Sequence, residues 1–440
     1  RLANTPILHQ IEAHVSGREQ MGLEDAGELA DVLGISADAL SKLQAAWGPA
    51  LWPNLLQAGL QPKNMAFRLL AGSRTDYRRA TDGWWSTVSQ VVDRYLRSDL
   101  FYRPVYFVSS NTHSLINLLG GYARALEDEL AVYLQEANPE NLWHHYQRLK
   151  KNQDPDELSD LLYYALAKYM RHGDAATQER NAEAMYCFHR ERGLLHVENP
   201  LYLDVAAQVV ELRSLRPESF DRRVRNPGLE ALQESDAVIF NVDYPLGMAA
   251  YQIFSQVAAN LGELQGVYFM GKAATLNGQV GDVMIPNVIY DEHSQNTFLF
   301  RNCFYADDVA PYLAHGSVFD NQKAVTVRGT FLQNKDFVGV FYQEGYTDIE
   351  MEAGPYLSGV YENIYPDRYP INEIVNLFIN APYDIGVVHY ASDTPYSRRQ
   401  MLLSKSLSYF GVDATYAASI AIVRRILSQE LRHLARREKN

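Results

Sequence analysis

A chain of 440 residues, 47% apolar and 21% charged, can bury a large core and is long enough for two or three structural units. Its formal charge of −13 disfavours a general nucleic-acid or anionic-membrane surface, and no apolar run reaches the roughly 18 residues of a membrane span. Two cysteines, Cys187 and Cys303, exclude a disulfide framework and favour a reducing cytoplasm, and no secretory signal is visible.

Residues 1 to 100 read as a helical N-terminal region. In LEDAGELADVLGISADALSKLQAAW, apolar residues at helical spacing flank a Gly-Ile-Ser break, and Ser36 or Asp38 can cap the second helix. The pair has the outline of a DNA-binding helix-turn-helix, but Glu24, Asp25, Glu28 and Asp31 crowd it with the wrong charge for phosphate, which favours an ordinary helical hairpin. Arg68, Arg74, Arg78, Arg79, Arg94, Arg97 and Arg103 follow, and a solvated helix face accounts for them better than a phosphate site.

PVYFVSSN, residues 104–111, is the first buried strand, and Asn111 or Thr112 can cap the helix that follows. A helical tract fills about 125–232. Its His144, His145, His189 and His196 match no zinc spacing, so no metal is expected. From Asp236 the texture becomes strand and helix in alternation: DAVIFNVDYP, GVYFMG at 266–271, VMIPNVIYDEH, KAVTVRGTF at 323–331 and YDIGVVHYASD at 383–393, with a last helix from about Asp413 to about Arg432. Gly271, Gly278 and Gly281 read as punctuating a loop that can approach a ligand. This alternation predicts an α/β fold with a parallel or mixed sheet covered on both faces. DIEMEAGP, residues 348–355, reads as a buried strand running into a helix, with Glu350 and Glu352 at the junction where open α/β sheets bind ligands.

GKAATLNGQVGDVMIP, DIEMEAGP and YASDTP, in that order, resemble the nucleoside phosphorylase and nucleosidase superfamily. FVSSNTHSLINLL, NVDYPLGMAAYQI, DEH and SDTP make the AMP nucleosidase family the nearest likeness within it. The resemblance covers 104–124 and 236 to about 430. It implies a three-layer α/β/α sandwich around a central mixed sheet, occupying 101–440 with a helical insertion at about 125–232. It further implies hydrolysis of a purine nucleotide without a cofactor, by a homo-oligomer that in relatives is often hexameric. Phosphorolysis of a purine nucleoside, or a non-catalytic nucleotide sensor on the same fold, stays open beside it.

Cleaving a purine N-glycosidic bond requires a proton or hydrogen bond at N7 of the leaving base and a grip on the ribosyl group as it gains oxocarbenium character. By resemblance Asp393 is the acid, Glu352 holds the ribose hydroxyls and Met351 packs on the sugar, with Glu350 as a further contact. Phe337 of KDF is the residue expected to stack on the base, with Phe331 as the weaker choice. Gly271 and Lys272 are expected on a loop facing the sugar or nucleophile, and Asn111 and His113 at the end of the first strand nearby. The sequence departs from the family at Ala273 and Ala274, where a glycine pair is usual.

Overall fold

The computed structural model describes residues 2, 5–18, 26–60, 74–96, 102–198, 201–329, 332, 334–378, 381–396 and 409–437. Phe331, Arg68 and Arg97 lie outside them. The chain divides into two compact units, Arg1–Leu69 and Leu70–Asn440.

The described residues of the first unit form α1 (Pro6–Val15), α2 (Ala26–Leu33), α3 (Ala37–Trp47) and α4 (Leu51–Leu60). Ser36 caps α3 by accepting the Ala39 N–H at 3.2 Å, one of the two residues expected to do so. Ile7, Leu8, Ile11, Leu29, Leu40, Leu51 and Leu55 form its core.

The second unit begins with α5 (Arg74–Leu96), some way before the boundary read at residue 100. The reason is packing. Trp84, Trp85, Val88 and Val92 of α5 join the same core as the sheet, and the Trp84 indole donates to the Val205 carbonyl at 2.8 Å. After β1 (Pro104–Ser110) come α6 (Ser114–Gly120), α7 (Tyr122–Ala125), α8 (Glu127–Glu136), α9 (Leu142–Asn152), α10 (Pro155–Tyr169) and α11 (Ala175–Arg190). The tract at 125–232 is not wholly helical: β2 (Leu194–Val197) and β3 (Ala207–Glu211) lie within it and extend the sheet. Then follow β4 (Val238–Asp243), α12 (Met248–Asn260), β5 (Glu263–Thr275), β6 (Val283–Asp291), β7 (Thr297–Leu299), α13 (Ala306–Val309), β8 (Val318–Thr326), α14 (Lys335–Gln343), β9 (Asp348–Glu350), α15 (Ala353–Ile364), β10 (Ile374–Asn376), β11 (Asp384–Asp393) and α16 (Val412–Arg437).

The strands form one mixed sheet in the order β10-β7-β6-β8-β9-β5-β1-β4-β3-β2, with β11 joining β5 to β6. That link closes β5, β11, β6, β8 and β9 into a ring. Both faces are covered by helices, as expected of an α/β sandwich. On β1, Val105 and Phe107 face the core shared with α5, α12 and α15, while Tyr106 and Val108 face the core shared with α6, α10 and α16. A strand buried on both faces reads as a continuous apolar run, which is why β1, β4, β5 and β11 were visible in the sequence. Phe269 and Tyr356 stack at 4.2 Å, and Phe107 meets Phe254 edge-on at 5.1 Å. Across the other face, Glu430 of α16 accepts from Tyr106 at 2.9 Å and from Ser235 at 2.7 Å.

Two local readings change. Residues 271–275 are not a loop but the last part of β5, because β11 pairs with that strand as far as Ala274. The strand expected at 323–331 runs instead over Val318–Thr326, in register with β6. Among the described residues no helix is long and apolar enough to cross a membrane.

Replacing Trp84 by Ala deletes a fully buried indole and leaves the Val205 carbonyl without its partner. A loss of about 3–5 kcal/mol is expected in urea unfolding. A loss below about 1 kcal/mol would mean that α5 is not part of this core.

Candidate functional site

The crevice arises from how β5 shares one of its edges. β11 runs along β5 from Gly266 to Ala274. β1 pairs with β5 over Glu263–Phe269, and β9 pairs with Ala274 and Thr275. Both overlap the β11 stretch, so β1 and β9 must follow one another on the opposite edge. Between them, among the described strands, none pairs with Met270, Gly271, Lys272 or Ala273 on that edge. The chain leaves β1 at Asn111 and leaves β9 at Met351, so both exits flank this gap. It is the position at which open α/β sheets bind ligands.

The 350–352 turn is more intricate than a strand with two acids on one face. Glu350 is the last residue of β9 and is 2% exposed. Its carboxylate accepts the N–H groups of Glu352 at 2.6 Å and Ala353 at 2.8 Å, and the Thr326 hydroxyl. Thr326 in turn accepts the Gly354 N–H at 2.8 Å. Glu350 therefore caps α15 and fixes the turn. Burial raises its pKa, and the His389 charge and these hydrogen bonds oppose the rise. Glu352, at the N-cap of α15, is half-buried. Burial and then the Glu350 charge push its pKa up to about 8. Along the direction in which a side chain at Gly271 would project lie His389 Cδ2 at 3.4 Å and Glu352 Oε2 at 3.7 Å.

His389 was not singled out in the sequence. It lies in β11, is 2% exposed, and its Nδ1 is 2.5 Å from Oδ2 of Asp348, which is fully buried. Burial alone would lower the His389 pKa. The hydrogen bond and charge of Asp348, with the charges of Glu350 and Glu352, outweigh that and raise it. The one available signal was an ionisable residue inside each of two buried strands, IGVVHYAS and TDIE.

Asp393 ends β11, half-buried, opposite Ala274. The Ser392 hydroxyl lies 2.8 Å from its Oδ2. Ala274 belongs to an apolar cluster against which Met351 and Phe337 pack. Phe337 sits in the first turn of α14, edge-on to Phe341 at 5.1 Å. The loop after β4 closes on the same region: the Gly247 N–H donates to the Met351 carbonyl at 2.8 Å, and the Tyr244 and Tyr390 hydroxyls are 3.1 Å apart. Tyr244 holds a left-handed φ of 35°, a strained backbone for a bulky side chain.

At the end of β1, Asn111 accepts the N–H groups of His113 at 3.0 Å and Ser114 at 2.6 Å, so it caps α6. His113 and Lys272 are exposed. Burial raises the pKa of Asp243, and the Lys272 ammonium, within electrostatic reach of the end of β4, opposes this. A polar string anchors this side. Gln208 donates to the Thr112 carbonyl at 2.6 Å, and Asn241 donates to Gln208 at 3.0 Å and to the Asn111 carbonyl at 3.2 Å. His196 and His189 extend it, with His189 Nδ1 2.9 Å from His196 Nε2. Among the described residues no group of three or more histidine, cysteine or carboxylate side chains is arranged to hold a metal ion.

The structure thus gathers Gly271 with Glu352, Asp393 with the Ala274 cluster of Met351 and Phe337, and Lys272 with the β1 and β4 ends. It turns Glu350 inward as a cap. A cavity of about 580 Å³ lies elsewhere, between α5, α12 and α15.

Folded Glu352 keeps its proton to higher pH than an unfolded glutamate, which titrates near 4.5. The native state binds more protons between those two values, so the Glu352 contribution to stability falls as pH rises from about 4.5 to about 8. Glu352→Gln removes that dependence. The variant is expected to gain on the order of 2 kcal/mol over the wild type in going from pH 4.5 to pH 8, read from urea midpoints. A difference that is the same at both pH values would show that Glu352 holds no such proton.

No curated protein matches the chain. Among solved structures it is similar to 5′-methylthioadenosine/S-adenosylhomocysteine nucleosidase from Neisseria meningitidis in complex with methylthio-immucillin-A, at 13% identity over 51% of this chain and 86% of that one, with a TM-score of 0.34. It is also similar to the corresponding nucleosidase of Campylobacter jejuni, at 9% identity over 56% and 94%, with a TM-score of 0.37. A third is uridine phosphorylase isoform 2 from Schistosoma mansoni in complex with citrate, at 9% identity over 43% and 70%, with a TM-score of 0.29. A family model described as a family of unknown function, DUF6909, matches residues 1–428, across both units, and the chain belongs to that family.

Proposed function

We propose that the chain is a nucleosidase that hydrolyses the N-glycosidic bond of a purine nucleotide, AMP in the first instance, to adenine and ribose 5-phosphate. The observation that supports this reading is that a half-buried carboxyl ends β11 opposite Ala274 of β5, and a second one, after β9, lies beside the Gly271 position of the same strand. That is the pair of groups the reaction needs. In the proposed reaction Asp393 gives a proton to N7 as the C1′–N9 bond breaks and its electron pair leaves on the purine. Water adds to C1′, and its proton restores the acid. Glu352 holds the ribose hydroxyls beside Gly271, which leaves room for the sugar. Met351 packs on the sugar and Phe337 on the base. Lys272 and His113, exposed at the ends of β5 and β1, face the 5′-phosphate.

Purified protein incubated with AMP, adenosine and inosine, with and without inorganic phosphate, is expected to release adenine from AMP in the absence of phosphate, measured by chromatography. Release only when phosphate is present would make it a phosphorylase. No release from any of them, with nucleotide binding retained, would make it a sensor. Asp393→Asn is expected to lower kcat by at least about a hundredfold, the lower range for losing an acid catalyst. A change under about threefold would remove Asp393 from that role.

Because Glu352 holds a proton near neutral pH, hydroxyls that donate to its carboxylate are expected to displace that proton. Calorimetric titration with AMP and Asp393→Asn at pH 7, in buffers of different ionisation enthalpy, should then show proton release, which Glu352→Gln abolishes. An identical proton balance in both proteins would take Glu352 out of the ribose site.

A further inference from the structure

We propose that His389, gripped by Asp348, is a positioning residue for the Glu352 carboxyl, the buried cation around which the acids of the 348–352 segment are arranged. The kinetic part of this inference rests on the nucleosidase reading above; the charge arrangement does not.

Three carboxyls, Asp348, Glu350 and Glu352, converge on this part of the sheet, two of them almost wholly buried. Burying ionised carboxyls without a counter-charge is strongly unfavourable. Elsewhere the chain meets that need with arginine: Arg103 pairs with Glu211 at 2.7 Å, and Arg223 pairs with Asp160 at 2.7 Å and Asp221 at 2.9 Å. At the crevice the counter-charge comes from an imidazole. Its Nδ1 is taken by Asp348, and its ring edge and Glu352 Oε2 both border the Gly271 position.

The groups facing His389 can be named from each element packed on it. β9 and its turn bring Asp348, Glu350 and Glu352. β5 sets Gly271 opposite it, and β6 sets Met284 opposite it, neither of which titrates. Lys272, the next residue of β5, is exposed and acts on Asp243 and His113. The cation beside Glu352 is therefore one that can lose its charge, unlike an arginine. A charged His389 favours an ionised Glu352, and a neutral one favours the protonated acid. The two groups titrate as a coupled pair, and the hydrogen bond from His389 to Asp348 holds the imidazole where this coupling is felt.

Two measurements test this on the full chain. In protein labelled with ¹³C at histidine Cε1, the resonance lost in His389→Gln is expected to titrate above the ordinary value near 6.5, and in Asp348→Asn to fall below it. A wild-type value at or below the ordinary one, or no change in Asp348→Asn, overturns the pair. Should His389→Gln not fold, the titrating resonance displaced in Asp348→Asn supplies the assignment. In the AMP assay, His389→Gln is expected to lower kcat/KM about tenfold or more and to move the pH limb belonging to Glu352. His389→Arg, permanently charged, restores the rate while removing the His389 limb. If His389→Gln leaves both the rate and the pH limbs of an active enzyme unchanged, the positioning role fails even though the nucleosidase reading stands. If the wild type releases no base from any nucleotide, the nucleosidase reading fails, and the histidine titrations alone decide whether the pair is built as proposed.

Discussion

One edge of β5 is divided between two partners, and the crevice is the consequence. A central strand ordinarily has a neighbour along its whole length, because its N–H and C=O groups need partners. Here β1 stops opposite Phe269 and β9 begins opposite Ala274, while β11 stays paired on the far edge. β11 keeps that stretch of β5 extended, and among the described strands none pairs with its other edge. Gly271 and Lys272 lie in the gap itself, and Asn111 and Glu352 follow the ends of the two strands that border it.

Charge is the second constraint. A sheet covered on both faces by helices offers little water to an acid, so each buried carboxyl must be capped, paired or protonated. All three solutions occur within five residues: Asp348 is paired with His389, Glu350 caps α15, and Glu352 keeps its proton well above the usual range. The Arg223 cluster with Asp160 and Asp221 shows the alternative, a permanent cation locked in the core. Such a cluster fixes structure, whereas an imidazole leaves the local charge adjustable.

Much of the frame was legible because β1, β4, β5 and β11 are apolar on both faces and stand out as runs. The junction at DIEMEAGP was legible for a similar reason: Ile349 and Met351 set the strand, and Pro355 suits the first helical turn. β7 and β10 have three residues each, too few for a period to register, and β2 and β3 were masked by the polar helices around them. Gly271, Ala273 and Ala274 read as a loop because small residues usually mark one; their pairing with β11 makes them strand, which no local pattern reveals. Glu350 and Glu352 looked equivalent by alternation. The turn that separates their roles depends on Thr326, distant in sequence and adjacent only after β8 and β9 align. His389 stayed hidden because a single histidine in an apolar strand has no meaning until Asp348 is seen beside it.

The shortness of β9 bears on how this molecule is made. β9 holds the ring closed through two residue pairs with β5 and three with β8, and on its own it is too short to persist. β11, which locks the far side of β5 and ends on Asp393, comes after the other described strands in chain order. During synthesis β1, β4 and β5 can already pair, since their contacts span shorter loops, but the ring stays open until β11 arrives and the longest loops close. The same closure that pairs the far edge of β5 brings His389 of β11 against Asp348. Assembly of this part of the sheet therefore waits on the pairing that closes the ring.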